Sequence, residues 1–118
     1  MSEQRPPDEA VTFGPFRLDA SNACLWRESE KIPLMPKDLL VLRYLIEHSG
    51  RIVTKEELLQ AAWSQVSVGE GVLKVSIRRL RRVMSDSART PRFIETIHGL
   101  GYRFIAPLNH AGKAQRLN

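Results

Sequence analysis

The apolar positions in the first third of the chain come in short runs separated by turn-forming residues. Between Val11 and Leu34 these runs are interrupted by Gly14-Pro15 and by the polar stretches 19–22 and 28–31. Short apolar runs bounded by Gly, Pro, Asn and Asp are typical of β-strands. The pattern predicts three or four short antiparallel strands at the start of the domain.

The apolar spacing changes to a helical period after Leu34. Residues 36–48 are rich in leucine, with Pro36 suited to the first turn of a helix and Asp38 to the positive end of its dipole. Gly50 is placed to end this helix. The segment Arg51-Ile52-Val53 then predicts a brief strand.

A second helix is predicted to begin at Lys55. Thr54 and Glu57 have the spacing of a capping box, in which the threonine hydroxyl reaches the third amide and the glutamate reaches back. This helix extends to Trp63, and residues 64–69 connect it to the next apolar pattern.

The segment 71–85 is the element around which the rest of the chain is organised. At about 100° per residue, one narrow apolar seam is formed by Leu73, Ile77, Leu80 and Met84. The other faces carry five cations and one branched apolar residue, namely Lys74, Val75, Arg78, Arg79, Arg81 and Arg82. No acidic residue lies between Gly71 and Ser85. Two helices joined by a short turn, the second of them basic, are the helix-turn-helix pattern.

Two β-prone runs follow, at residues 93–97 and 102–105. They flank His98-Gly99-Leu100-Gly101 and predict a β-hairpin whose two glycines supply positive φ angles. The domain is expected to span residues 11–107, between a disordered lead-in at 1–10 and a linker or tail at 108–118.

The charge of the chain is concentrated on the basic helix. Eighteen Lys and Arg against thirteen Asp and Glu give a net charge of +5, which equals the five cations of that helix. Arg78 and Arg82 are like charges at i,i+4 and weaken an isolated helix, so we expect an external partner to offset their repulsion. Double-stranded DNA fits best, because Val75 suits a thymine methyl group in a major groove. A solvated face, an intramolecular acid and an acidic protein partner are the alternatives.

Other classes of protein lack support in the sequence. The single cysteine, Cys24, predicts a reducing compartment, and no apolar run reaches the length of a membrane span, so we expect a cytoplasmic protein or the cytoplasmic part of a larger, membrane-anchored regulator. The three histidines have no partners at metal-ligand spacing, so neither a metal nor a cofactor is expected. No nucleophile and base pair indicates an enzyme.

The order of these motifs resembles a known family from Phe13 to Ala106. The motifs that carry the resemblance are Leu34-Met35-Pro36-Lys37, Gly50-Arg51-Ile52-Val53-Thr54-Lys55-Glu56-Glu57-Leu58-Leu59, Trp63, Val75-Ser76-Ile77-Arg78-Arg79-Leu80-Arg81, and Pro91-Arg92-Phe93-Ile94-Glu95-Thr96-Ile97 with Gly101-Tyr102-Arg103-Phe104. They resemble the winged-helix DNA-binding domain of the OmpR/PhoB type (transcriptional regulatory protein C-terminal type), here N-terminal in the chain. This domain is the effector half of many bacterial two-component response regulators.

The resemblance implies an α+β winged helix-turn-helix with an N-terminal antiparallel sheet, a three-helix core and a C-terminal β-hairpin wing. It implies sequence-specific transcription regulation, with the recognition helix, about residues 70–85, in the major groove and the wing, 93–105, near the minor groove. Family members bind direct repeats as head-to-tail pairs, and the connection at 64–69 is a candidate contact for RNA polymerase. Off DNA, a monomer or weak dimer is expected.

The resemblance also assigns roles by position. Bases and nearby phosphates are read by Lys74, Val75, Arg78 and Arg79, with Ser76 on the same helix, and the DNA backbone is gripped by Arg81 and Arg82. Trp63, Thr96 and Tyr102 fall where the wing and the helix ends meet phosphates, with core or sheet packing as the alternative for each.

The chain departs from the family pattern at the wing tip and on the recognition helix, where Gly71 lacks a side chain at a position that can hold a phosphate-binding arginine. His98 stands at the wing tip in place of a frequent arginine, so minor-groove insertion is expected to be weaker and pH-dependent. Lys74 replaces a frequent acid and favours guanine or phosphate.

The module comes first in the chain, as in regulators that place it ahead of a transmembrane sensor or of an ATPase and helical-repeat region, so further domains are expected after residue 118.

Overall fold

The computed structural model describes residues 10–64 and 66–110. In chain order the elements are β1 (Ala10–Phe13), β2 (Phe16–Asp19), β3 (Cys24–Arg27), β4 (Glu30–Pro33), α1 (Pro36–Glu47), β5 (Val53–Thr54), α2 (Lys55–Trp63), α3 (Gly71–Met84), β6 (Ile94–Ile97), β7 (Gly101–Phe104) and β8 (Asn109–His110). They fall into two units, one of residues 10–34 and 107–110 and one of residues 35–106. Of the predicted lead-in, residues 1–9 lie outside the described residues, and Ala10 belongs to β1.

The first unit is a single antiparallel sheet with the strand order β4-β3-β2-β1-β8. The buried side chains of its first three strands are Val11, Phe13, Phe16, Leu18, Cys24 and Leu25. The predicted N-terminal strands are therefore present. Pro33, which cannot donate to a ladder, ends the edge strand β4.

The prediction of a linker or tail from residue 108 onward is wrong for Asn109 and His110. These two residues form β8, which pairs with β1 through Val11↔His110 and Thr12↔Asn109. The Thr12 hydroxyl also donates to the Asn109 carbonyl oxygen at 3.2 Å. Both side chains are polar and exposed, and the strand is formed by backbone pairing. The sequence therefore contains no apolar pattern from which this strand could be predicted. The remaining tail, residues 111–118, lies outside the described residues.

The second unit contains the three helices and the antiparallel sheet β5-β7-β6. Its helices bury Val41, Leu42, Leu45, Ile46, Leu58, Ala62, Leu73, Ile77, Leu80 and Met84. Its sheet and the segment before β6 bury Val53, Phe93, Ile94 and Phe104. Three amphipathic helices and a small sheet thus share one core, and the predicted α+β winged helix-turn-helix fold is confirmed. No helix among the described residues combines the length and apolarity needed to cross a membrane.

The predicted capping box opens α2. The Thr54 hydroxyl accepts the Glu57 N–H at 3.1 Å, and the Glu57 carboxylate accepts the Thr54 N–H at 2.9 Å. Arg51 pairs with the same carboxylate at 3.3 Å. The Thr54 amide and Arg51 together hold the pKa of Glu57 below its usual value.

The two glycines of the β6–β7 hairpin have different roles. Gly99 has a φ of 80°, as predicted for a tight turn. Gly101 does not have a positive φ, so the prediction is wrong for this residue. A Cβ at Gly101 would collide with the carbonyl oxygen of Val53, and the missing side chain is what lets β7 pair with β5.

Candidate nucleic-acid interface

The exposed face of α3 is narrower than the helical wheel predicts. The seam residues Leu73, Ile77, Leu80 and Met84 are all at most 2% exposed. On the opposite side, solvent reaches Lys74, Val75, Arg78 and Arg82. We call these four residues the α3 stripe. Val75 is 43% exposed although it is apolar.

Two residues predicted to contact DNA instead face α1. Arg79 donates from Nε to Asp38 Oδ2 at 2.7 Å and from Nη2 to Asp38 Oδ1 at 2.9 Å. Ser76 is 0% exposed and donates from its hydroxyl to Asp38 Oδ1 at 2.6 Å. A side chain buried like Ser76 cannot reach a base or a phosphate, and the guanidinium fork of Arg79 is occupied by a carboxylate. The DNA contact predicted for Ser76 does not fit its burial, whereas that of Arg79, whose side chain is 41% exposed, stays a prediction.

Asp38 is the site residue that the sequence analysis missed. Its first-turn position suggested only a favourable charge at the helix dipole, but the side chain is 4% exposed and points at α3. Hydrogen bonding to Asp38 raises the pKa of Arg79 above its ordinary value. The sequence carried one usable signal, which is an acid within a leucine-rich helix of a chain whose basic helix contains no acid of its own.

Arg81 supports the wing. Its Nη2 donates to the Ile94 carbonyl oxygen and to the Thr96 hydroxyl, both at 2.8 Å, and both acceptors belong to β6. Its Nε is buried without a hydrogen-bond partner among the described residues, and burial lowers the pKa of Arg81. Arg81 thus joins α3 to the wing, and the Thr96 hydroxyl accepts from the same guanidinium. The DNA-backbone contact predicted for Arg81 stays a prediction.

A cleft of about 630 Å³ lies between α3 and the wing. Its walls are formed by Lys74, Ile77, Arg78, Arg81, Arg82, Asp86, Ala88, Thr96, His98 and Tyr102. The carboxylate of Asp86 is used within the chain, because it accepts hydrogen bonds from the backbone N–H groups of Arg92, Phe93 and Ile94 at 2.7 to 3.3 Å. The cleft therefore presents mainly positive charge to solvent.

The remaining predicted residues differ in how far solvent reaches them. His98 is exposed at the wing tip, whereas Tyr102 is only 6% exposed, and its burial raises its pKa. Half-buried Trp63 lies apart from the cleft, in a groove of about 420 Å³ that it shares with Val75 and Arg79. Contact between DNA and Trp63, Thr96, His98 or Tyr102 stays a prediction.

A cationic helix held by its apolar seam, next to a β-hairpin with which it forms a positive cleft, defines a winged-helix DNA-binding domain. The sequence model of the family described as "Transcriptional regulatory protein, C terminal" matches residues 29–104. The chain therefore belongs to this family, the OmpR/PhoB-type DNA-binding domains of transcriptional regulators, which are not enzymes. The predicted family is confirmed.

Individual relatives agree with this assignment. The transcriptional regulator HilA of Salmonella typhi is 38% identical over 101 residues, which are 86% of this chain but 18% of HilA. The DNA-binding domain of Klebsiella pneumoniae RstA, solved in complex with the RstA box, superposes with a TM-score of 0.71 at 28% identity and covers 82% of this chain and 97% of its own. The DNA-binding domain of Escherichia coli CadC has a TM-score of 0.76 over 92% of this chain and 99% of its own, and at 24% identity it shows the fold alone.

Proposed function

We propose that this chain binds double-stranded DNA sequence-specifically, with α3 in the major groove and the β6–β7 wing beside the neighbouring minor groove. The α3 stripe is the observation that carries the proposal. It places three cations and one exposed valine on a helix whose opposite edge is fully buried. The major groove admits an α-helix and offers guanine acceptors and thymine methyl groups to these side chains.

The stripe divides into base-reading and phosphate-binding positions. Arg78, near the middle of the helix and on the wall of the cleft, is suited to a bidentate contact with guanine, and Val75 to a thymine methyl. Arg82 lies one turn after Arg78, in the last turn of α3, and is suited to a phosphate together with His98 of the wing. Lys74 is suited to either guanine or phosphate.

The internal contacts of Arg79 and Arg81 lower the expected salt dependence. Each phosphate neutralised by a cation contributes about 0.9 to the slope of log K against log salt. Five helix cations would contribute about 4.5 if each met a phosphate, whereas the three of the stripe contribute at most about 2.7. Cations outside α3 add to this figure.

Fluorescence anisotropy with duplexes selected from a random pool tests the proposal. We expect Arg78→Met to cost about 1 to 3 kcal/mol on the selected duplex and to relax the preference at one base pair. Arg82→Met is expected to weaken selected and random duplexes alike and to reduce the slope by about 0.9.

Arg43→Met is the matched control for loss of one positive charge. Arg43 lies exposed on α1, where it pairs with Glu47 at 3.7 Å and does not line the cleft. The slope and the affinity should therefore stay at the wild-type values. Failure of the wild-type chain to bind any duplex at low salt would refute the proposal, and so would equal losses for Arg78→Met on selected and random DNA.

We extend the proposal to RNA polymerase as a partner of the connection 64–69. Val66 in this connection is 52% exposed, although it is apolar. Val66→Ser should lower transcription from a bound promoter while leaving DNA affinity unchanged. A parallel loss of DNA affinity would place Val66 at the DNA instead.

A further inference from the structure

A buried carboxylate on α1 takes up one of the five cations of α3. Asp38 accepts two hydrogen bonds from Arg79 and one from Ser76, at 2.6 to 2.9 Å, and its side chain is 4% exposed. All three donors belong to α3. The contact therefore joins the two helices and cancels one positive charge beside the α3 stripe.

The position of Arg79 makes this cancellation relevant to DNA binding. At about 100° per residue, Arg79 lies about 40° around the helix from Val75 and about 60° from Arg82. It is thus the next residue beyond the edge of the α3 stripe, and 41% of its side chain is still exposed. A guanidinium released from Asp38 at this position would turn toward the same partner as the stripe.

We propose that Asp38 is a positioning residue that withholds Arg79 from DNA phosphates and so keeps sequence-independent binding weak. The inference rests on the proposed DNA-binding function. Phosphate contacts carry no sequence information, so an additional cation raises affinity for every duplex. By holding Arg79 against α1, Asp38 limits the phosphate-binding cations of α3 to those of the stripe.

The substitution Asp38→Asn removes the negative charge of Asp38 while nearly preserving its packing. Asparagine has nearly the same shape, and its Oδ1 can still accept the Ser76 hydroxyl. Its Nδ2 is a donor, however, and would face the donors of Arg79 where Oδ2 now accepts. Arg79 would lose its counter-charge and the acceptor of its Nε–H, and would keep only the bond from Nη2 to Oδ1. The partial exposure of Arg79 leaves it a route to solvent.

The test is the salt dependence of binding to a random-sequence duplex, measured for the full chain between about 50 and 200 mM salt. Asp38→Asn should steepen the slope by about 0.9 and tighten binding roughly 5- to 10-fold at about 0.1 M salt. The double variant Asp38→Asn/Arg79→Met should return to the wild-type slope. Ser76→Ala is the control, because it removes one hydrogen bond of the same cluster without changing its charge, and its slope should not move.

Two results would overturn the proposal while leaving the proposed function standing. One is a folded Asp38→Asn variant with the wild-type slope. The other is a double variant whose slope is about 0.9 shallower than wild type, because Arg79 would then already contact a phosphate. The double variant decides the question alone if Asp38→Asn does not fold, since it leaves no unpaired charge. A wild-type chain that binds no duplex would instead refute the proposed function.

Discussion

Arg81→Met should weaken the fold without removing a DNA contact. In the wild-type chain, Nη2 of Arg81 donates to the Ile94 carbonyl oxygen and to the Thr96 hydroxyl. Methionine keeps most of the apolar stem, so the loss is confined to these hydrogen bonds. A hydrogen bond from a charged donor is worth about 1.5 to 3 kcal/mol, and half-buried Thr96 can recover part of its share from water.

The expected cost of Arg81→Met is therefore about 2 to 3 kcal/mol of unfolding free energy. For a domain of about 100 residues, this lowers the melting temperature by roughly 10 to 20 °C. Thermal melts followed by circular dichroism measure the loss. We expect the slope of log K against log salt on a random duplex to stay at the wild-type value, because the Nη2 of Arg81 is held by the wing.

Arg82 is the matched control, since it is the next residue and carries the same charge. Arg82→Met should change stability by no more than about 0.5 kcal/mol and make the slope about 0.9 shallower. The reasoning fails if Arg81→Met melts like the wild type and its slope falls by as much as that of Arg82→Met. Arg81 would then be a phosphate ligand, as the family resemblance implied.

Three further predictions concern positions outside α3. Gly101→Ala should cost about 3 kcal/mol or more in thermal melts, because its Cβ would meet the Val53 carbonyl oxygen, whereas Gly69→Ala, with nothing within 4 Å, should stay within about 0.5 kcal/mol. Thr54→Ala should cost about 1 kcal/mol in urea unfolding. The pKa of Glu57 is lowered in the fold, so its stabilisation is complete above the ordinary value of 4.5 and is lost as the pH falls through the folded pKa. The stability difference between the wild type and Glu57→Gln should therefore shrink on acidification and stay constant near neutral pH.

The parts of the fold that could be predicted from sequence depend on neighbours within a few residues. The seam of α3 repeats every three or four positions, and Thr54 and Glu57 are three residues apart. Both patterns act within one element, so the chain itself contains the information. The same holds for the hairpin turn at Gly99, whose positive φ is a local requirement.

The roles of Arg79 and Arg81 could not be predicted in this way. A helical wheel separates the buried edge of α3 from its exposed edge. It does not show which residues of other elements lie next to the side chains between these two edges. Arg79 is held by a carboxylate 41 positions earlier, and Arg81 by strand atoms 13 and 15 positions later. Only the packing of α1 and β6 against α3 brings these atoms together. Strand β8 was missed for a similar reason, because its pairing is made by backbone atoms.

The internal contacts of Arg79 and Arg81 reduce the number of α3 cations that are expected to bind phosphates. If all five cations were directed at phosphates, affinity would fall roughly 500-fold between about 50 and 200 mM salt, but three cations give a fall of at most roughly 40-fold. In the proposed binding mode, the smaller electrostatic contribution would leave base contacts by Arg78 and Val75 a larger share of the binding free energy. Arg79 and Arg81 then contribute indirectly, because they fix α3 to α1 on one side and to the wing on the other. We expect these contacts to hold the stripe and the wing in position to meet adjacent grooves together.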